Sequence, residues 1–148
     1  VYNCILGGES ESKLFRIVRE QHSLCYGISS APSRLDNTLT IHTGIDKENY
    51  KKTLSLIEKI LDDMKKGKFT DQDIETAKQF YETAFEEVEE SPNTMLDIYM
   101  NKDFTGTDDL ETKRKMIKKV TKKEIIRVAR KIKMDTVFML EGDKNEKE

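Results

Sequence analysis

The sequence predicts an α/β domain of the α+β kind, with a small mixed or antiparallel sheet, including a hairpin, layered against several helices. Two runs of β-type residues, Leu24–Ala31 and Thr38–Ile45, flank a short turn and predict the hairpin. The other long segments carry apolar residues at helical spacing, and only seven glycines and two prolines interrupt the chain. The 148 residues suffice for one domain with a sizeable core, which we assign to residues 1–142, followed by a charged tail at 143–148.

Two short elements are predicted before the hairpin. Val1–Leu6 is an apolar run that ends at Gly7-Gly8, a pattern that suits a helix C-cap with φ > 0 or the end of a strand. Ser10 can cap a helix that continues to about Gln21. The residues expected on its buried face are Leu14, Phe15 and Val18.

The predicted hairpin is defined best by its second strand. Pro32 closes the first strand, and residues 33–37 have the composition of a turn. The alternation that follows places one set of side chains towards the core, namely Leu39, Ile41, Thr43 and Ile45. The opposite, polar face carries Thr38, Thr40 and His42.

Helices account for most of the remaining chain. Asp46 is the expected cap of the first helix, Gly67 its end, and Thr70 with Asp73 forms a capping-box pattern at the start of the second. Both helices carry one apolar stripe, and we expect the stripes to pack as an antiparallel pair. The stripes are Tyr50, Leu54, Ile57, Leu61 and Met64, and then Ile74, Ala77, Tyr81, Ala84 and Val88.

The C-terminal part predicts three further helices and a strand. Ser91-Pro92 is a helix start, and Thr121 with Glu124 is a second capping box. The expected elements are a helix from Ser91 through Tyr99 that breaks near Gly106, helices at 109–120 and 121–133, and a strand at Thr136–Leu140.

Composition excludes several classes of function. The chain has 26 basic and 28 acidic residues, so no basic excess exists to neutralise nucleic-acid phosphates. No apolar run approaches the roughly 20 residues of a membrane helix. Cys4 and Cys25 are too few for a disulfide scaffold, and we expect a reduced, cytoplasmic setting.

No catalytic or metal-binding motif is visible. A helical zinc pair needs two histidines at i and i+4, whereas His22 and His42 lie on different predicted elements, where each suits the surface. The chain has no Gly-x-Ser-x-Gly elbow and no interpretable cysteine–histidine pair. We therefore expect no metal or other cofactor in this chain and no catalysis by the chain alone.

One combination of residues carries a resemblance. Leu6-Gly7-Gly8-x-x-x-Ser12-Lys13-Leu14-Phe15 is followed by Arg19-Glu20-x-x-Ser23-Leu24-Cys25-Tyr26. This pattern resembles the second half of the pitrilysin/insulinase family, the inverted-motif zinc peptidases that include mitochondrial processing peptidase and its bacterial relatives. The resemblance covers about residues 1–142 and implies a LuxS-like half-domain.

The resemblance also implies that the two halves of such a peptidase have different roles. In that family the zinc is held in the first half by His-x-x-Glu-His and a downstream glutamate, and the second half has the same fold without these ligands. Arg19 and Tyr26 match the arginine and tyrosine, seven residues apart, that the family aims at its peptide substrate. The implied roles are hydrogen bonds to the peptide backbone, with Tyr26 close to the carbonyl under attack. The alternative is that Tyr26 is a core residue on the face of Leu24 and Ile28 and that Arg19 is an ordinary surface residue.

The resemblance gives the following hypothesis: this is the substrate-positioning domain of such a peptidase or of its non-catalytic partner subunit. Its partners would be the zinc-binding half and a peptide. Ser23 departs from the family's Gly-Leu-x-Tyr pattern, which puts close backbone approach there in doubt. The resemblance implies a strand and most of a helix before Val1, so we expect a truncated domain that self-associates through an open sheet edge or an exposed apolar face. A structural module of the same fold that binds no peptide is the competing interpretation.

Overall fold

The computed structural model describes residues 1–33, 35–105 and 108–142, apart from the side chains of residues 99 and 101–105. The expected break near Gly106, the tail at 143–148 and one residue of the hairpin turn lie outside this range. Within it, the chain has the expected α+β architecture, with a hairpin packed against helical segments.

Two π-helical segments, Cys4–Gly8 and Phe15–Gln21, precede the hairpin. Of the two interpretations of the first segment, the helical one is confirmed, although Gly7 inside it has φ −165° and not a positive φ. The prediction that Ser10 caps the second helix is wrong. The Ser12 amide donates to the Glu9 carbonyl at 3.1 Å, so residues 9–12 form a turn, and Leu14 precedes the π-helix without any side-chain cap.

The hairpin is confirmed. Strand β1, Cys25–Ser33, pairs antiparallel with β2, Thr38–Ile45, and no other sheet occurs in the described ranges. Ser29 faces His42 across the ladder, but the register shifts between Cys25 and Ile28, where β1 contains a bulge. The predicted alternation of β2 is observed along its whole length.

In the described part of the chain, five α-helices follow a 3-10 turn at Lys47–Asn49. Both predicted capping boxes form, and Gly67 ends the first helix with φ +73°, as a C-cap glycine does. Asp46 precedes the 3-10 turn but makes no side-chain capping bond. The helices are α1 (Tyr50–Lys65), α2 (Asp71–Glu90), α3 (Pro92–Thr105), α4 (Leu110–Lys119) and α5 (Lys122–Lys131).

The expected pairing of α1 with α2 is wrong. Helix α1 packs chiefly against α5, and α2 packs against α3 and α4. The Lys122 ammonium donates to the Phe69 carbonyl at 2.6 Å and lies over the Phe69 ring, which fixes the start of α5 beside the end of α1. The buried Ile125 and Ala129 of α5 then supply the apolar surface that covers the α1 stripe.

One continuous core joins the hairpin to the helices. Leu14, Val18 and Leu24 are buried beside the inner face of β1, and the stripe of α1 closes the core from the other side. The strand predicted at Thr136–Leu140 is wrong, because residues 132–142 form neither helix nor strand. A strand needs a neighbour for its backbone hydrogen bonds, and the described part of the chain offers none to this segment.

Candidate functional site

The bulge in β1 determines where Tyr26 points. Regular alternation would place Tyr26 on the inner face with the buried Leu24 and Ile28. Instead, the register shift leaves both Tyr26 and Gly27 outside, and the Tyr26 side chain is 95% exposed. The Thr43 hydroxyl donates to the Gly27 carbonyl at 3.1 Å and thereby holds the bulged backbone against β2. Tyr26 is therefore not part of the core.

Arg19 is exposed in the last turn of the second π-helix. Its guanidinium carbon lies 4.5 Å from the centre of the Phe15 ring, within cation–π distance. The π-helix itself is a further signal, because such segments are rare and often occur at functional sites.

An open groove of about 470 Å³ lies between the second π-helix, which carries Arg19, and the hairpin, which carries Tyr26. Its lining residues are Phe15, Gly27, Ile28, Ser29, His42, Thr43 and Gly44. Neither Arg19 nor Tyr26 lines the groove itself, but Arg19 stacks on the lining residue Phe15, and Tyr26 precedes the lining residue Gly27 in the chain. The groove is lined by residues from both faces of the hairpin, Ile28 and Thr43 from the inner face and Ser29 and His42 from the outer one.

Two groove residues, Gly27 and Gly44, are not required by the fold. Neither has a positive φ, and a Cβ built on either would meet no atom within 4 Å. Glycine in a strand costs roughly 0.5–1 kcal/mol relative to alanine, and it often marks a position that another backbone approaches closely. Sequence reasoning did not select these residues, although two glycines inside predicted strands were a usable signal.

Ser23 stands where the family pattern has glycine, and its backbone explains that pattern. The residue has φ +49°, in the left-handed region that glycine adopts at lowest cost. The Ser23 amide donates to the Arg19 carbonyl, and the Leu24 amide donates to that of Val18, which closes the π-helix and starts β1. Ser23 therefore preserves the turn that separates Arg19 from Tyr26.

The histidines and cysteines do not form a reactive centre in the described ranges. No group of three or more His, Cys, Asp or Glu side chains there could hold a metal ion, so these residues do not fit a zinc site. His22 and His42 are on different elements, neither of them buried. Cys4 is buried, and burial raises the pKa of its thiol, which favours the unreactive protonated form.

A second cavity, of about 290 Å³, lies between the first π-helical segment and α2. The Arg16 guanidinium contacts the Asp73 carboxylate at 2.8 Å on its wall. Asp73 also accepts a hydrogen bond from the Thr70 amide in the capping box. These contacts join the helical layer to the N-terminal segments, so the pair has a structural role.

Fold and site together define a class of protein. A hairpin packed against helices, without a metal-ligand cluster in the described ranges, agrees with the α+β half-domain that the resemblance implies. No helix among the described residues has the length and apolar character needed to cross a bilayer.

Comparison with known proteins identifies the family to which the chain belongs. Residues 1–81 match the family described as the peptidase M16 inactive domain, and the chain belongs to that family. It is 32% identical over 143 residues to the probable inactive metalloprotease YmfF of Bacillus subtilis (strain 168), a match that covers 96% of this chain and 34% of that protein. The resemblance found in the sequence is thereby confirmed.

Solved structures agree with the fold. A conserved protein from Enterococcus faecalis V583 superposes with a TM-score of 0.82 at 30% identity, over 87% of this chain and 31% of that one. A peptidase M16 inactive domain from Pseudomonas fluorescens superposes with a TM-score of 0.75 at 22% identity, over 87% of this chain and 32% of that one. The chain thus spans about a third of the length of these relatives.

Proposed function

We propose that this chain is the non-catalytic, substrate-positioning domain of a cytoplasmic, two-part zinc peptidase. The zinc ion belongs to the other half or to a partner subunit, and this domain holds an extended peptide along the groove at the bulge of the hairpin. The reaction served is hydrolysis of that peptide.

The observation that carries the proposal is the exposure of Tyr26 beside the groove. A tyrosine side chain that is 95% exposed loses the apolar contacts that usually hold it in a fold. The bulge that turns it outwards also interrupts the ladder of β1. A binding role accounts for both costs, because bulges often direct a side chain beside an active site.

Gly27 and Gly44 support the same interpretation. A peptide lying on the hairpin would approach the strand backbone most closely where no side chain intervenes. Ser29 and His42, which face each other across the ladder, add polar partners to the groove. Arg19 would then present several donors to peptide carbonyls or to an acidic side chain.

Tyr26 has a second role in the proposal. Its phenol would donate a hydrogen bond to the carbonyl of the scissile peptide and stabilise the charge that develops on this oxygen as water adds. The proton remains on the phenol, so the domain contributes neither acid nor base. Removing one such donor typically costs about 10²-fold in kcat.

Binding to an unfolded polypeptide tests the positioning role. Fluorescein-labelled β-casein should bind the chain in an anisotropy titration, and Tyr26→Ala and Arg19→Ala should each weaken it by about tenfold, the loss of roughly one good contact. Leu35→Ala is the matched control for Tyr26, because Leu35 is 96% exposed at the hairpin tip. Arg127→Ala, exposed on α5, is the control for Arg19. Equal affinities for the wild type and all these variants would refute the positioning role.

The glycine pair offers a variant that blocks the groove without harming the fold. Gly44→Val should weaken casein binding while the free energy of unfolding stays the same or rises, because valine suits a strand. Gly142→Val, also in open space but outside the groove, should change neither. Unchanged binding in Gly44→Val would show that the peptide does not lie on this face.

Peptide hydrolysis by the complete peptidase tests the role in the reaction. Tyr26→Phe removes only the phenolic hydroxyl, so it should lower kcat and leave KM nearly unchanged. Arg19→Ala should raise KM more than it lowers kcat. Turnover at the wild-type rate in both variants would remove the functional assignment.

A structural module that binds no peptide is the second candidate. It is favoured by the exposed apolar side chains of residues 134–140, which suit a protein contact. On this interpretation the Tyr26 and Arg19 variants bind casein like wild type, and only substitutions at the contact surface disturb assembly.

A further inference from the structure

The charges of this chain are distributed unevenly along its sequence. Between residues 113 and 133 there are eleven lysines and arginines and a single acidic residue, Glu124. The rest of the chain has 15 basic and 27 acidic residues, so the net charge of −2 conceals a strongly basic segment. This segment contains most of α4 and all of α5. Such a charge asymmetry within one chain indicates an anionic partner.

Some of these cations are used within the fold. Arg114, Lys115 and Lys118 each form an ion pair with a glutamate. At the start of α5, the Lys122 ammonium donates to the Phe69 carbonyl. Contacts inside the molecule therefore account for the cations of α4 that lie against α2 and for the first cation of α5.

Four other cations of α5 have no such contact. Lys123, Arg127, Arg130 and Lys131 are exposed, and none of them forms an ion pair in the described ranges. The one carboxylate of the helix, Glu124, is engaged in the capping box at its start. Because residues three and four apart are neighbours on a helix, the four cations repel one another. We call these four residues the basic face of α5.

The basic face points away from the core. Ile125 and Ala129 are buried, and Arg127, two residues from each, lies nearly opposite both of them around the helix. Lys123 and Lys131 lie about one turn before and after Arg127, so the three cations form a row about 12 Å long. Neither of the two cavities described above has a lining residue from α5. The face is therefore a convex row of cations, separate from the hairpin groove.

The needs of the helix itself account for only part of this pattern. Arg130 and Lys131 are in the last turn of α5, where cations interact favourably with the helix dipole. Lys123 is in the first turn, where the dipole disfavours a cation, and Arg127 is at the middle, where the dipole has little effect. The exposed face of α1, in contrast, carries charges of both signs, as an ordinary solvated surface does.

We propose that the basic face of α5 binds the anionic surface of a lipid membrane. A convex row of cations fits a plane of anionic headgroups, and each lysine or arginine near such a plane adds to the attraction. The contact is peripheral, so it requires no helix that crosses the bilayer. The proposal is independent of peptide binding, because no residue of the hairpin takes part in it.

Two features favour lipid over other anionic partners. A specific polypeptide contact depends on anchor residues that fill well-packed pockets, whereas neither described cavity lies on this face. Proteins that bind single-stranded nucleic acid stack its bases on aromatic side chains, and residues 110–133 include no phenylalanine, tyrosine, tryptophan or histidine. Lysines outnumber arginines by eight to three in residues 113–133, and their compact charge suits an attraction without fixed geometry.

Cosedimentation with lipid vesicles tests the proposal. In dilute buffer the chain should bind vesicles made of equal parts phosphatidylglycerol and phosphatidylcholine, and it should bind pure phosphatidylcholine about tenfold more weakly or less. About 0.5 M salt should release the chain, because it shortens the range of these attractions to roughly 4 Å. Equal binding to both kinds of vesicle, or binding to neither, would overturn the proposal.

Two arginine variants test the location of the contact. Arg127→Ala should weaken binding to the anionic vesicles about fivefold, the effect of one cation near such a surface. Arg19→Ala makes the same change of charge beside the groove and should leave vesicle binding unchanged, whereas in the casein titration it is the variant that loses affinity. Arg127→Ala should be at least as stable as wild type in urea, because it relieves repulsion on α5. Equal losses of vesicle binding in the two variants would overturn the assignment to α5.

A conservative variant and two soluble polyanions distinguish lipid from a partner of defined shape. Arg127→Lys keeps the charge but not the planar guanidinium, so it should bind the anionic vesicles like wild type. Polyglutamate and a DNA duplex of about 20 base pairs should each bind more weakly than these vesicles at about 0.15 M salt. Tighter binding of either polyanion, or an Arg127→Lys variant as weak as Arg127→Ala, would overturn the membrane proposal.

Discussion

Gly7 is a glycine because of its neighbours and not because of its own dihedral angles. A Cβ built there would lie 2.6 Å from the Ser30 hydroxyl oxygen and 2.7 Å from a methyl carbon of Leu14. The side chains of Asn3 and Ser30 are joined by a 2.7 Å hydrogen bond at the same point. The first π-helical segment thus lies directly on the inner face of β1, and no side chain fits between them.

Gly7→Ala should therefore destabilise the protein. Alanine would force the Ser30 and Leu14 side chains apart in a packed core, so we expect the free energy of unfolding to fall by about 2 kcal/mol. Urea denaturation measures this difference. Gly27→Ala is the control, because its Cβ enters open space and should leave stability within about 0.5 kcal/mol of wild type. Equal effects of the two substitutions would contradict the close packing at Gly7.

Ser23→Gly should instead stabilise the protein. A serine with φ +49° bears a backbone cost that glycine avoids, while glycine loses more entropy on folding. We expect a net gain of about 0.5–1 kcal/mol in the free energy of unfolding. Ser29→Gly, in an ordinary strand conformation on the exposed face, should instead lose stability. A loss in Ser23→Gly as well would show that the serine hydroxyl has a role of its own.

At the residue scale the sequence selects Arg19 and Tyr26 as candidate site residues, but it does not predict where their side chains point. Arg19 and Tyr26 follow from a pattern of residue types along the chain. The outward direction of Tyr26 depends on a bulge, which arises only when β1 meets β2 and Thr43 bonds to Gly27. Such an interaction between strands is not specified by the local sequence, although Gly27, a glycine inside a predicted strand, marks the place where it occurs.

The start of α2 shows how a helix end connects two layers. Burial alone would raise the pKa of Asp73, but hydrogen bonds from the backbone and side chain of Thr70 and attraction to Arg16 outweigh it. The pKa of Asp73 therefore lies below its ordinary value of 3.8. A carboxyl with a lowered pKa in the folded state stabilises the fold fully above its ordinary pKa, and that stabilisation disappears as the pH falls through the folded-state pKa.

Asp73→Asn should consequently lower the free energy of unfolding by an amount that depends on pH. Asparagine keeps the shape and one acceptor but not the charge, so we expect a loss of about 1 kcal/mol at pH 7. The difference from wild type should shrink below pH 3.8 and vanish in stronger acid. Chemical denaturation from pH 7 to acid conditions provides the measurement. Glu75→Gln, on an exposed part of the same helix, should be as stable as wild type both at pH 7 and in acid. If the loss of stability in Asp73→Asn did not change with pH, the charge of Asp73 would have no part in it.

Three helix ends were predicted correctly from sequence, because their signals are local, whereas the caps expected from Ser10 and Asp46 do not form. Both capping boxes and Gly67 lie within a turn of the helix ends that they define. The partners of α1 and the state of Thr136–Leu140 depend on segments distant in sequence, and both predictions were wrong. A hydrophobic stripe specifies that a helix packs, but not which helix it meets.

The whole molecule consists of a continuous core and an outer layer. The core joins the π-helical segments, β1, α1, α5 and the start of α2. Phe85 and Leu110 are buried outside that cluster, where α4 lies on the second half of α2. The contact also depends on Arg114, whose guanidinium bonds to both carboxylate oxygens of Glu89, at 2.9 and 3.1 Å, and contacts Glu82.

We expect the outer layer to open before the core unfolds. Regions with few buried apolar contacts open locally at lower free energy than the global transition, so the amides of α4 should exchange with solvent faster than those of α1 and α5. Arg114→Ala should accelerate exchange in α4 by several-fold, and about 1 M salt should do the same to wild type by screening the ion pairs. Arg127→Ala, on the exposed side of α5, is the control and should leave α4 unchanged. Native-state hydrogen exchange read by mass spectrometry distinguishes the outcomes: uniform exchange rates across α1, α4 and α5 would mean that the molecule opens only as a single unit.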